Sequence, residues 1–179
     1  ELNKKGILRY IEPNFRFQSD LIPNDPLWLQ QWGPQMIEAD KAWDNETGDN
    51  SILVAVIDSG IDYTHPDLIA NYNSSGYDWV NNDNDPIDDN GHGTHCAGII
   101  AATLNNNIGI AGISQVQIMA EKGLDSDGYG YASDLSNAII HAVEKGAKIL
   151  SLSWGSNYPS ITLQEAISYA YENGVLIVA

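Results

Sequence analysis

Two residues able to do proton chemistry stand in unusual surroundings. Asp58 follows directly on a continuous apolar run, Ile52-Leu53-Val54-Ala55-Val56-Ile57, and precedes Ser59 and Gly60. A carboxylate at the end of a buried strand costs free energy unless a partner satisfies it. On this segment alone, a turn-forming aspartate and a functional one are equally good readings. His92 lies in Asn90-Gly91-His92-Gly93-Thr94-His95-Cys96-Ala97-Gly98. The flanking glycines let another chain approach the ring closely. A helix starting here would disfavour the imidazolium form. A neighbouring carboxylate would offset that and fix the tautomer, as an aspartate does beside a general-base histidine. His95, one turn further on, is expected to be a packed, hydrogen-bonded core residue. The chain contains no Gly-x-Ser-x-Gly. Ser151 and Ser153 fall at a strand end and do not fit a nucleophile elbow.

A second chemistry is that of hard cations. Asp78, Asn81, Asp83 and Asp85 cluster in a polar stretch with no packing role for so much charge. Oxygen donors at short spacing are what Ca²⁺ requires, and this favours calcium over a merely solvated acidic loop. Asn105-Asn106-Asn107 with Gly109 forms a further plausible ligand loop. Asp125-Ser126-Asp127-Gly128-Tyr129-Gly130 has the outline of an EF-hand. Tyr129 is no ligand at its fifth position, and Ser136 stands where the closing Glu belongs, so that reading fails.

The elements that must position these residues alternate. The run at 52–57 predicts a strand buried on both faces. Residues 71–91, rich in Asn, Asp, Gly and Ser, predict loop. A tightly packed helix is expected over 94–103 and a strand over 117–122. Leu135, Ala138, Ile139, Ala142 and Val143 follow helical spacing, with Gly146 as the stop. A strand is expected at 149–153. Thr162 to Glu165 reads as a capping box opening a helix that Gly174 ends. A further buried strand is expected at 175–178. Towards the N-terminus, 6–12 reads as strand-like, 13–17 as extended, 20–35 as loop and 36–45 as a short helix. Alternating strands and helices predict an α/β fold, a doubly wound, mainly parallel sheet with helices on both faces. Ligands in such sheets bind beyond the carboxyl ends of the strands, which is where Asp58 falls.

Composition narrows the function. The 179 residues carry 8 Lys and Arg against 24 Asp and Glu, a formal net charge of −16. That argues against nucleic acid and against anionic membrane surfaces as partners. The single cysteine, Cys96, excludes an internal disulfide, and no stretch approaches 18 apolar residues. The N-terminus has neither an initiator Met nor the apolar run of a signal peptide. The expectation is a piece from inside a longer precursor.

The motifs around Asp58 (residues 54–62) and His92 (residues 91–98), in that order, resemble the aspartate and histidine motifs of the subtilisin family. Asn24-Asp25-Pro26, Gln31-Trp32-Gly33 and Cys96 make the thermitase branch the nearest in motif. The resemblance covers residues 24–179. It implies a secreted, monomeric serine endopeptidase acting on polypeptides. Asp58 would orient His92, and a serine and an oxyanion-binding asparagine would lie beyond these residues, so that the fragment is inactive alone. It implies substrate contacts at Gly128, Tyr129 and Gly130 and, opposite them, at Ser153, Trp154 and Gly155, with the peptide added as a β-strand. Trp154 stands where many relatives have Leu. Glu121 and Gly123 depart from an otherwise apolar strand pattern. Two calcium sites are implied. One uses Asp78, Asn81, Asp83 and Asp85, with Asn81 replacing an Asp. The other uses Asp25, Asp67 and Asn106 with the carbonyls of Thr103, Ile108 and Ile110. Residues 1–20 resemble the tail of the family's inhibitory prodomain, which would make the chain's own prodomain a partner, with the peptidase portion at 21–179.

Two other classes compete with this one. Gly128-Tyr129-Gly130-Tyr131-Ala132-Ser133 has the outline of a dinucleotide-binding fingerprint, but Ser133 replaces the third Gly and no acid ends the strand at 149–153. The other is a non-catalytic calcium- or peptide-binding module of protease-like sequence.

Overall fold

The computed structural model describes residues 12–15 and 21–179. The strand-like reading at 6–12 therefore lies outside the described residues but for Glu12. A single 3-10 turn, Trp28–Gln30, leads into two short helices, α1 (Trp32–Met36) and α2 (Ala39–Trp43). Only α2 falls in the helix expected at 36–45; the 3-10 turn and α1, but for Met36, lie in 20–35, where loop is expected. Glu38 separates α1 from α2 with a left-handed backbone, φ 56°. The break lets Trp43 turn inward, where its ring lies 5.4 Å from that of Trp28 and its indole N–H donates to the Ile113 carbonyl.

The strands are β1 (Leu53–Asp58), β2 (Tyr72–Asp78), β3 (Gln117–Lys122), β4 (Ile149–Ser151) and β5 (Leu176–Val178). Among the described residues they form one parallel sheet in the order β2-β3-β1-β4-β5. Three helices cover it: α3 (His92–Ala101), α4 (Ala132–Glu144) and α5 (Ile161–Glu172). The residues of β1 explain why both faces are covered. Leu53, Ala55 and Ile57 point into a core with Leu135, Ile139 and Ala142 of α4 and Ala166 and Ala170 of α5. Val54 and Val56, one residue out of phase, point into a second core with Ala97 and Ala101 of α3. A strand with apolar side chains at every position must bury both faces.

Four expectations need correction. Residues 71–91 are not all loop, since β2 occupies the first part. Its polar composition suits one end of the sheet, where only β3 pairs with it. Gly76 is required there, because a Cβ would lie 1.8 Å from the Ala120 carbonyl oxygen. Helix α5 is capped not by Thr162 but by Ser160, whose hydroxyl accepts from the Leu163 N–H at 3.3 Å. The fourth strand ends at Ser151, two residues early. The strand expected at 175–178 spans Leu176–Val178, and within these residues Leu176 and Val178 are 60% and 53% exposed.

The helix stops hold as read. Gly146 and Gly174 adopt positive φ. In each case the following N–H reaches back past the glycine into the helix, Ala147 to the Ala142 carbonyl and Val175 to the Ala170 carbonyl. This is the glycine-dependent reverse turn that ends helices and satisfies their last carbonyls.

Candidate active site

Asp58 is the last residue of β1 and is fully buried. The N–H groups of Gly123 and Leu124, just past β3, donate to its main-chain carbonyl at 2.9 and 3.1 Å. These bonds fix the strand end. Its Oδ1 accepts from the Ser59 N–H at 2.8 Å and lies 2.7 Å from Nδ1 of His92. A carboxylate only accepts, so Nδ1 carries the shared proton and the lone pair is left to Nε2. Oδ2 is buried with no hydrogen-bond partner among the described residues. Such an atom costs about 1–3 kcal/mol, and function is a common reason for tolerating it.

His92 opens α3, and its side chain is half exposed. The glycines around it have separate reasons. Gly91 caps the helix at φ 102°, where a side chain is strained. Gly93 packs so closely that a Cβ would sit 2.1 Å from the Gly60 carbonyl oxygen. That close approach lets the His92 segment lie against the Asp58 turn. Cys96, one helical turn on, places its sulfur 4.0 Å from His92 Nδ1. Burial pushes its thiol pKa up, which suits a packed thiol and not a thiolate nucleophile. His95 is exposed rather than packed in the core, because α3 turns it away from the sheet.

The residues expected to meet substrate converge beside this pair. Gly128, Ser153, Trp154 and Gly155 join His92 and Asn90 around a cavity of about 300 Å³. Gly128, Tyr129, Gly130, Trp154 and Gly155 line an adjoining apolar cavity of about 580 Å³, with Leu135 and Leu163 among its walls. Trp154 borders both. Its indole N–H donates to the Ile57 carbonyl at 2.8 Å, one residue before Asp58.

Asp25 and Asp67 are buried and share the 105–110 loop. Asp25 accepts from the Asn105 and Asn106 N–H groups at 3.0 and 3.1 Å. Asp67 accepts from the Asn106 side chain at 2.7 Å and the Ile110 N–H at 3.0 Å. The main-chain carbonyl of Asp67 takes the Thr103 N–H at 2.8 Å. The carboxylates here accept N–H donors, and Asn106 turns its NH₂ to Asp67 and its side-chain oxygen to the Ile108 N–H. In the 78–85 set, Asp78 and Asp83 pair main chain to main chain. Buried Asp78 takes both the N–H and the side-chain amide of Asn81, Asp83 takes the Asp85 N–H, and Asp85 takes the Tyr63 hydroxyl. Among the described residues, the three aspartates do not bring their oxygens within 4.8 Å of one another.

Three further residues bear on the site. Lys122, buried at the end of β3, donates to the Ser59 carbonyl at 2.8 Å and pairs with Asp89. Asp88 hydrogen-bonds to Ser59 and Thr94. Glu121, the residue that breaks the apolar pattern of β3, is buried against the Trp79 indole N–H and His141 Nδ1, both at 2.7 Å. Asp88, just upstream of the glycine-flanked histidine, was visible as an acidic residue in the sequence. Its partner Ser59 was not, because the two are 29 positions apart.

A profile of the subtilase family matches residues 49–179. The chain belongs to the subtilase family. Among curated proteins, this subtilase is 45% identical over 180 residues to the "Thermophilic serine proteinase" of Bacillus sp. (strain AK1), covering 99% of the chain and 45% of the relative. It is 44% identical to the "Thermitase" of Thermoactinomyces vulgaris, covering 88% of the chain and 56% of the relative. It is 40% identical to the "Halolysin" of Haloferax mediterranei, covering 86% and 31%. The chain therefore spans about half or less of the length of these relatives. The parallel α/β sheet agrees with the family expected from the two motifs.

Proposed function

We propose that these residues are the N-terminal portion of the catalytic domain of a serine endopeptidase. Asp58 orients His92, and His92 acts as general base towards a serine hydroxyl supplied by sequence outside the 179 residues. The observation that carries this reading is the 2.7 Å contact between Asp58 Oδ1 and His92 Nδ1 at the carboxyl end of a central parallel strand. It leaves Nε2 to take the serine proton and return it to the leaving amine. A polypeptide substrate lies as an added strand between 128–130 and 153–155, with apolar side chains entering the cavity bordered by Trp154. Alone, the stretch is inactive for want of the nucleophile and the oxyanion-binding amide. Asp25, Asp67 and Asn106 would hold a calcium ion, which ties the N-terminal segment to the 105–110 loop. Residues 1–20 are the tail of an inhibitory prodomain, and the enzyme is secreted and monomeric. Support for secretion comes from relatives described as extracellular.

The test is reaction of the whole protein with a serine-directed fluorophosphonate. Labelling is expected, and it should be lost in Asp58→Ala and His92→Ala. Undiminished labelling of both variants overturns the assignment.

A further inference from the structure

The carboxylate of Asp88 sits where the segment carrying Asp58 crosses the segment carrying His92. Its Oδ1 accepts from the Ser59 hydroxyl at 2.9 Å, the Asn90 N–H at 2.9 Å and the Gly91 N–H at 2.8 Å. Its Oδ2 accepts from the Thr94 N–H at 2.9 Å and the Thr94 hydroxyl at 2.5 Å. The Ser59 hydroxyl oxygen in turn accepts from the Gly93 N–H at 3.0 Å. The Thr94 hydroxyl oxygen accepts from the Asp62 N–H at 2.8 Å. One side chain thus reaches the residue after Asp58 and residues on both sides of His92, without touching the imidazole.

Partial burial pushes the Asp88 carboxyl up. The donors from Gly91, the Thr94 hydroxyl, Asn90 and the Thr94 N–H outweigh that and hold it below the ordinary carboxylate range. An ionised acceptor makes its hydrogen bonds shorter and stronger than a neutral one. Main-chain bonds hold either flank, from Gly123 and Leu124 to the Asp58 carbonyl and from Ile61 to the Pro86 carbonyl. Gly91 and Gly93 flank His92, and Gly60 follows Ser59 at φ 107°. Glycines permit the close crossing of the two segments but add flexibility, which the Asp88 side-chain bonds between the segments restrict. On the strand side, Lys122 braces the same residue by its bond to the Ser59 carbonyl.

We propose that Asp88 is a positioning residue for the Asp58–His92 pair, locking the turn after β1 and the first turn of α3 into one hydrogen-bonded frame. Its kinetic consequence rests on the peptidase reading above, whereas its effect on the imidazole does not. An asparagine at 88 keeps one acceptor oxygen and turns an NH₂ towards N–H donors, so one side of the frame is lost. Misplacing a catalytic group by about 1 Å costs on the order of 100-fold in rate.

The experiment uses the whole processed protein and its Asp88→Asn variant, with two readouts. For hydrolysis of a peptide substrate, kcat should fall roughly 10- to 100-fold with KM changed less than about twofold. In nitrogen-15-edited NMR, the His92 Nδ1 proton held by Asp58 should move upfield and broaden. A folded Asp88→Asn that melts lower but keeps wild-type kcat and an unmoved Nδ1 proton overturns the proposal, since that is what a merely structural residue gives. If Asp88→Asn does not fold, Ser59→Ala removes one donor and leaves the charge. It should shift the same proton in the same direction, and an unchanged signal overturns the proposal. A wild type that hydrolyses nothing, with an Nδ1 proton that still moves on Asp88→Asn, sinks the peptidase reading and leaves the positioning role standing.

Discussion

The carboxylate of Asp58 holds the His92 ring with Oδ1, while its main-chain carbonyl is pinned by Gly123 and Leu124. Replacing it by Asn keeps the shape and offers an NH₂ where an acceptor is needed, which forces the imidazole into the wrong tautomer. Asp58→Asn in the whole protein should therefore lower kcat on the order of 10⁴-fold with little change in KM, read from steady-state hydrolysis. Trp154 makes a different prediction. Its indole is anchored to the Ile57 carbonyl and walls the 580 Å³ cavity. Trp154→Leu should widen that cavity and raise kcat/KM for peptides with bulky apolar side chains relative to small ones, by about 10-fold. Competition between two peptides differing at one apolar residue measures this. An unchanged ratio would remove Trp154 from the substrate wall. The motifs made Asp58 and His92 readable in advance, because a charged residue after an apolar strand and a histidine between glycines are each unusual locally. His95 misled, because helical spacing does not say which face of α3 meets the sheet.

Among the elements, β3 carries the least expected residue. Burial pushes the Glu121 carboxyl pKa up, while the bonds from His141 and Trp79 pull it back in part. A carboxyl raised on folding binds its proton more tightly in the folded state. Its contribution is complete below the ordinary glutamate pKa and is lost as pH rises through the folded value. Denaturant unfolding of the whole protein from about pH 4.5 upward should show a falling contribution that Glu121→Gln abolishes. Identical pH slopes for both proteins would refute it. The crossing of β1 and α3 makes a second, steric prediction. Gly93→Ala places a Cβ 2.1 Å from the Gly60 carbonyl oxygen. It should lower stability by about 1–3 kcal/mol in denaturant unfolding, as overpacking does, and separate His92 from Asp58. Strand β3 was readable despite Glu121, since its ends are set by pairing with β1 and the misfit is absorbed by Trp79 and His141. Strand β2 was not readable, because a polar run at one end of a sheet looks like loop until its partner strand is known.

For the whole molecule, the Asp25–Asp67–Asn106 assembly joins segments 80 positions apart. If calcium binds there, chelation should lower the melting temperature of the full protein and excess Ca²⁺ should restore it. Saturation at about 100 times Kd is worth roughly 2.7 kcal/mol. Asp25→Asn and Asp67→Asn should each blunt the response, measured by calorimetry with and without chelator, and a full response in both variants would place the ion elsewhere. In the 78–85 loop, as at Asp25 and Asp67, the carboxylates accept N–H or O–H donors. An ion there would have to draw Asp83 and Asp85 from the Asp85 N–H and the Tyr63 hydroxyl they now engage.

Read alone, the sequence determined the alternating parallel architecture, the order of the two motifs and the glycine stops of α4 and α5. These are written in local periodicity and in backbone conformations only glycine adopts readily. Tertiary structure alone decided that β2 is a strand, that Glu121 is buried with partners from two other segments, and that Asp88 braces the turn after Asp58. Each of those depends on which distant segment lies alongside, and no spacing along one chain encodes the distance between residues brought together only by folding.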